Sequence, residues 1–79
     1  MSSKELNELK WQRPFKPFRI KTVNNEVFDI LDPGLILVAK HDLNIGIPHP
    51  QEPPPSVSDV IWLGVEEVES VEFLEAAAM

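Results

Sequence analysis

Apolar and polar residues alternate with a period of two through Phe18-Arg19-Ile20-Lys21-Thr22-Val23, which is the mark of a half-buried strand. The alternation returns in Glu26–Leu31, so Phe18, Ile20, Phe28 and Ile30 are predicted to line one face. Between the two runs stand Asn24 and Asn25. Asparagine tolerates positive φ, so the pair predicts a two-residue hairpin of type I′. Leu35–Ala39 is an unbroken apolar run of strand length, expected to be buried on both faces, or on one face against a partner. Ile45-Gly46-Ile47 reads as a short return strand, with Gly46 marking a bulge or a close backbone approach. Val57–Leu63 alternates again: Val57, Asp59, Ile61 and Leu63 on one side, Ser58, Val60 and Trp62 on the other.

The segments between these runs carry their own signals. Ser2 with Glu5 three residues on fits a capping box, and Leu6 and Leu9 then share a helix face. The expected helix covers about residues 3–12, because Pro14 disfavours helix in the residue before it. A lone helix this short is unstable in water, so Leu6, Leu9 and Trp11 are expected to dock on the body. Pro14-Phe15-Lys16-Pro17-Phe18 is an extended corner with Phe15 and Phe18 as core anchors. Its Pro14-x-x-Pro17-x-Arg19 spacing also matches a polyproline ligand, a weaker reading because the arginine leads straight into a strand. Asp32-Pro33-Gly34 fits a type II turn. Five of the eight prolines fall in residues 48–55, predicting a stiff loop of polyproline II character. Gly64 ends the next strand. Val65–Val68 is read as one helical turn followed by a strand over 70–74. The rival reading is a single helix over 65–78, opposed by three valines and a phenylalanine.

These elements predict a single mainly β domain over residues 1–79. Residues 1–13 form an N-terminal helix, 14–74 a small five-stranded, strongly bent antiparallel barrel of SH3- or Sm-like type, 48–56 a Pro-rich loop and 75–79 a tail. At 79 residues the core is modest and oligomerisation is a common source of added stability. If the barrel does not close, its strand edges are available for pairing between chains.

The Pro-Phe-x-Pro-Phe corner of residues 14–18, the Asn24-Asn25 turn, the Asp32-Pro33 turn and the closing Val65-x-x-Val68-x-x-Val71-Glu72 segment resemble those of small uncharacterised bacterial proteins. The layout of leading helix, five strands and a short turn before the last strand is similar to Sm-like barrels, including the bacterial RNA-chaperone branch. Those barrels carry a Tyr-Lys-His motif near the end of the fourth strand that contacts uridines. Its counterpart here is Trp62-Leu63-Gly64, which keeps an aromatic and has neither the cation nor the imidazole. The resemblance therefore implies architecture rather than RNA binding.

Charge adds a polarity that the apolar pattern does not show. Residues 1–21 carry six cations against two acids, a net +4. Residues 22–79 carry Lys40 against eleven acids, a net −10. An overall charge of −6 argues against general nucleic-acid binding, which needs lysines and arginines at phosphates. The charges are either solvated and paired within the chain or arranged as complementary surfaces that meet between chains.

Candidate chemistry is sparse. There are no cysteines, so no disulfide or thiolate chemistry. His41 and His49 sit in predicted turns at a spacing that matches no metal-ligand pattern. Asp29 and Asp32 fit solvent exposure and turn capping better than a catalytic pair. The three glycines are isolated, so no phosphate-cradling loop is present. No apolar run has the length of a membrane span or a signal sequence, and the chain reads as cytoplasmic. We expect no enzyme, cofactor, metal or small-molecule substrate. The expected function is a non-enzymatic module that self-associates or binds a protein, through a surface containing Lys10, Trp11, Arg13, Trp62, Glu66, Glu67 and Glu69. The alternative is an Sm-like nucleic-acid binder using Lys16, Arg19, Lys21 and Trp62.

Overall fold

The capping box forms as its sequence predicts. In the computed structural model, which describes residues 1–53 and 56–74, the Glu5 N–H donates to Ser2 Oγ at 3.2 Å and the Ser2 N–H donates to Glu5 Oε1 at 3.0 Å. The Ser2 N–H and the Ser2 hydroxyl, both donating to Glu5 Oε1, hold the Glu5 carboxyl below its ordinary range. Helix α1 runs Ser3–Lys10, two residues shorter than expected. Leu6 is fully buried and Leu9 packs against the core. Trp11 does not dock with them: it is the C-cap residue and stays 64% exposed. Five positions on from Leu6, it lies off the face that Leu6 and Leu9 share.

The rest of the described chain is β structure: β1 (Phe18–Thr22), β2 (Val27–Ile30), β3 (Ile36–Val38), β4 (Asp42–Pro48), β5 (Val57–Gly64) and β6 (Val68–Phe73). They form two three-stranded antiparallel sheets, ordered β2-β1-β6 and β3-β4-β5. The domain is thus mainly β with one short helix. Six strands in two sheets stand where a five-stranded bent barrel is expected, and the sheets do not close on one another: among the described residues no ladder joins β5 to β6 or β2 to β3. A 3₁₀ turn over Pro33–Leu35 separates β2 from β3, and a second over Val65–Glu67 separates β5 from β6. Turn followed by strand is therefore the correct reading of 65–73, as the β-branched residues favour. Residues 54, 55 and the expected 75–79 tail lie outside the described residues.

Two turns differ from their sequence reading. Only Asn25 of the Asn24-Asn25 pair has positive φ, at 66°. The Asn25 N–H donates to the Thr22 carbonyl and the Thr22 N–H to the Glu26 carbonyl, which makes a three-residue loop rather than a two-residue type I′ turn. Thr22 decides this: its buried hydroxyl accepts the N–H groups of Asn24 and Glu26 at 3.2 and 3.1 Å. Gly34 has no positive φ, so Asp32-Pro33-Gly34 is not type II. The Asp32 carboxylate instead caps the Gly34 N–H at 2.8 Å and starts the 3₁₀ turn.

The core lies between the inner faces of the two sheets and α1. Phe18, Ile20, Ile30 and Val68 come from the first sheet, Ile36, Leu43, Ile45 and Leu63 from the second, and Leu6, Leu35 and Val65 from the helix and the turns. Phe28 is half-buried beside them and Phe15 stacks on Phe18 at 5.8 Å between ring centroids. Phe18, Ile20, Phe28 and Ile30 share a face, as the alternation predicts.

Candidate interaction surface

The outer face of the β3-β4-β5 sheet is apolar and uncovered by the other described residues. Register places Leu37 opposite Asn44 and Asn44 opposite Trp62, so the three form one row across the sheet. Leu37 is 62% exposed and Trp62 71%. The run Leu35–Ala39 is therefore not buried on both faces: Ile36 faces the core and Leu37 faces out. Gly46 and Val60 form the next row. The register then shifts so that Val57 pairs with Pro48 while Ser58 is passed over. That bulge turns Val57 onto the outer face, against the expectation that it would share the side of Asp59, Ile61 and Leu63. Val57 closes over Gly46: a Cβ on Gly46 would lie 2.5 Å from Val57 Cγ1. The close approach read from Gly46 is thus present. Leu37, Gly46, Val57, Val60 and Trp62 line one shallow depression with Asn44 at its floor. Asn44 Oδ1 is buried there without a hydrogen-bond partner.

Lys10 and Trp11 mark the β3 edge of this sheet. The Lys10 ammonium donates to the carbonyls of Pro33 and Ile36 at 2.7 and 2.5 Å. It fastens α1 to the outward carbonyl of β3 and is engaged inside the fold. Burial pulls its pKa below the ordinary lysine value, opposed by the charge of Asp32. The same Nζ lies 5.1 Å from the centroid of the Trp11 ring, which seats that exposed indole beside β3. Arg13 follows, exposed and in no ion pair among the described residues.

The β5 edge carries the acids. The Val65 N–H donates to the His41 carbonyl, and this fixes the alternation along β5. Asp59, Ile61 and Leu63 bond to β4, while Val60, Trp62 and Gly64 turn their N–H groups to the open edge. Two of these three are already capped by carboxylates: Val60 N–H by Asp59 Oδ1 and Gly64 N–H by Glu67 Oε1, at 2.8 and 2.7 Å. The β5 edge is thereby blunted against strand addition, two of its three outward N–H groups being engaged within the chain. A Cβ on Gly64, pointing to the same side as Trp62, would lie 3.1 Å from Glu66 Oε1. The apolar row on β5 therefore ends under a carboxylate. Glu66 and Glu67 take part in no ion pair among the described residues.

The remaining candidates are placed elsewhere. Arg19 and Lys21 lie on the outer face of the β2-β1-β6 sheet. Arg19 pairs with Asp29 at 2.7 Å and Glu72 at 3.7 Å, and Lys21 with Glu69 at 3.8 Å. Hydrogen bonding to Arg19 lowers the Asp29 pKa and raises that of Arg19. Glu69 thus belongs to the other sheet from Trp62. The His49 imidazole accepts the Gln51 N–H at 3.1 Å, capping its own loop. Among the described residues no three His, Cys, Asp or Glu side chains converge on a metal-sized site, and no helix is long and apolar enough to cross a membrane. Sequence reasoning missed Leu37, Asn44 and Val57. Strict alternation within 36–38 would have found Leu37. Nothing in the sequence marks the bulge that exposes Val57.

Comparison with protein-family models, with curated proteins and with solved structures returned no match.

Proposed function

We propose that this chain is a non-enzymatic protein-interaction module whose working surface is the outer face of the β3-β4-β5 sheet. One observation carries the reading: Leu37 and Trp62, each more than 60% exposed, flank Asn44 in one row of a sheet whose outer face no other described residue covers. Exposed tryptophan is costly in water and frequent at interface hot spots. A photo-crosslinking residue introduced at Trp62, with a control at Lys21 on the other sheet, tests it in cells making the protein. Discrete protein adducts from position 62 and none from 21 are expected. Adducts from position 21 alone, or from neither, overturn the reading.

A likeness to Sm- or SH3-like barrels stays with this proposal only as an order of elements, helix first and a short turn before the last strand; the six strands form two sheets unjoined at β5 and β6 and at β2 and β3 among the described residues. Nucleic-acid binding through Lys16, Arg19, Lys21 and Trp62 has less support. Arg19 and Lys21 are paired with carboxylates, and Trp62 lies on the other sheet. Single-stranded RNA binding at low salt that disappears when Lys16, Arg19 and Lys21 become alanine would favour it instead.

A further inference from the structure

The β2-β1-β6 sheet stops at β6 with its backbone open. The Leu74 N–H donates to the Pro17 carbonyl at 3.0 Å, and Arg19 opposite Glu72 follows in register. Alternation along an antiparallel ladder then commits Ser70, Glu72 and Leu74 to β1 and turns the N–H and C=O groups of Val71 and Phe73 to the outer edge. Among the described residues nothing bonds to those two N–H groups. At the β5 edge, by contrast, Asp59 and Glu67 cap the backbone from within the chain.

The rows of side chains across this sheet also end one strand early. On the inner face Ile30, Phe18 and Phe73 are in register, as are Phe28, Ile20 and Val71. Phe18 and Ile20 are fully buried, but the rows finish on Phe73, 44% exposed, and on the half-buried Val71. These two line a depression with Leu9 and Gln12. On the outer face the row is Asp29, Arg19, Glu72, which reads anion, cation, anion. Arg19 makes its closer contact with Asp29, at 2.7 Å against 3.7 Å, and the Glu72 side chain is left at the edge 69% exposed. The complement of that carboxylate on a further strand is a cation.

We propose that β6 accepts an added strand from a different protein: an extended, antiparallel segment in which a lysine or arginine opposite Glu72 stands between apolar residues opposite Val71 and Phe73. Main-chain bonds to Val71 and Phe73 hold the segment, and its alternate side chains select it. The apolar pair completes the inner rows, and the cation completes the outer one. A second copy of this chain supplies no such segment from its edge strands. β2 offers Asp29, β5 offers Asp59, β6 offers Glu69 and Glu72, and β3 has no charged residue. The strand cations Arg19 and Lys21 lie on β1, which has neighbours on both sides. This edge is separate from the outer face of the β3-β4-β5 sheet and does not depend on the reading of that face.

Titration calorimetry of the full chain with the end-blocked peptide Ser-Ile-Arg-Val-Lys-Ile-Ser tests this, with circular dichroism of each variant as a check on folding. Saturable binding that weakens with added salt is expected. F73S should weaken it about tenfold, and E72K roughly several-fold. A peptide with glutamate in place of both cations should bind E72K better than it binds the wild type. N-methylation of the peptide's apolar residues removes the donors that face β6 and should abolish binding. N-methylation of its basic residues, whose N–H groups face away, should leave binding intact. No saturable binding at low salt overturns the proposal, as do equal affinities for the two methylated peptides or indifference to both F73S and E72K. A dimer of the chain alone that F73S dissociates gives the edge to a second copy and overturns the partner. W62S, on the other sheet, should change nothing. Loss of binding in W62S moves the peptide to the apolar face, which overturns this site and leaves the functional reading standing.

Discussion

The two sheets are built alike and finished differently. Each has three antiparallel strands and turns an aliphatic face inward: Phe18, Ile20 and Ile30 in one, Ile36, Leu43, Ile45 and Leu63 in the other. Their outer faces share no chemistry. The β2-β1-β6 sheet presents Arg19 and Lys21 on its central strand, and neighbouring strands supply Asp29, Glu69 and Glu72 to meet them. Its cations are met within the chain. The central strand of the β3-β4-β5 sheet presents Asn44 and Gly46, and its neighbours supply Leu37, Val57, Val60 and Trp62. No described residue settles that face. The difference teaches where to look for a partner: one sheet meets its outward charges within the chain, and the other presents apolar surface that no described residue meets.

The comparison can be broken first from the inside. I20A and I45A remove equivalent buried methyl groups from the central strand of each sheet. Each should cost about 2–5 kcal/mol in urea denaturation, and a large disparity would show that the two halves of the core are not equivalent. Next is the joint between helix and second sheet. K10M leaves the Pro33 and Ile36 carbonyls without their donor and should cost about 1–3 kcal/mol. It should also loosen Trp11, read as increased rotational freedom in its fluorescence anisotropy.

Smaller effects sharpen the contrast between outer faces. N44V removes a buried, unpartnered carbonyl oxygen from the apolar row and suits a strand, so it should stabilise by about 1 kcal/mol in a thermal melt. On the charged face, D29N should cost less than about 1 kcal/mol, since both side chains of the Arg19 pair are 40% exposed and screened. Its pH dependence has a definite sign. Asp29 has a folded pKa below its unfolded value, so its contribution is present above the unfolded carboxylate value and is lost as pH falls through the folded one. Wild type and D29N should therefore converge in acid, and a gap that widens in acid would reverse the assignment.

The elements themselves were legible because they rest on local chemistry. The Ser2–Glu5 capping box, the Phe18–Thr22 alternation and the 3₁₀ turn before the last strand depend on residues within a few positions of one another. Alternation also set Trp62 on the opposite side of its strand from Ile61 and Leu63; burial of Leu63 in the core is what turns it outward. Turn types were less legible. Thr22 redirects the Asn24-Asn25 loop through a side-chain bond, and Asp32 does the same to Pro33-Gly34.

What the sequence by itself determined was a mainly β chain with one capped helix, a segregated charge and a tryptophan set opposite Ile61 and Leu63 on its strand. Tertiary structure alone decided which charges remain available. Arg19 and Lys21 are neutralised by acids up to 53 positions away, while Lys10 is drawn into the fold by two backbone carbonyls. It also decided that Leu37, Val57 and Trp62 share a face. Strand pairing and a single bulge bring them together, and neither register nor bulge is a property of local sequence. The reason is common to both outcomes. Periodicity says that a side chain points away from its own strand's buried face, but only the neighbouring strands determine what it meets there.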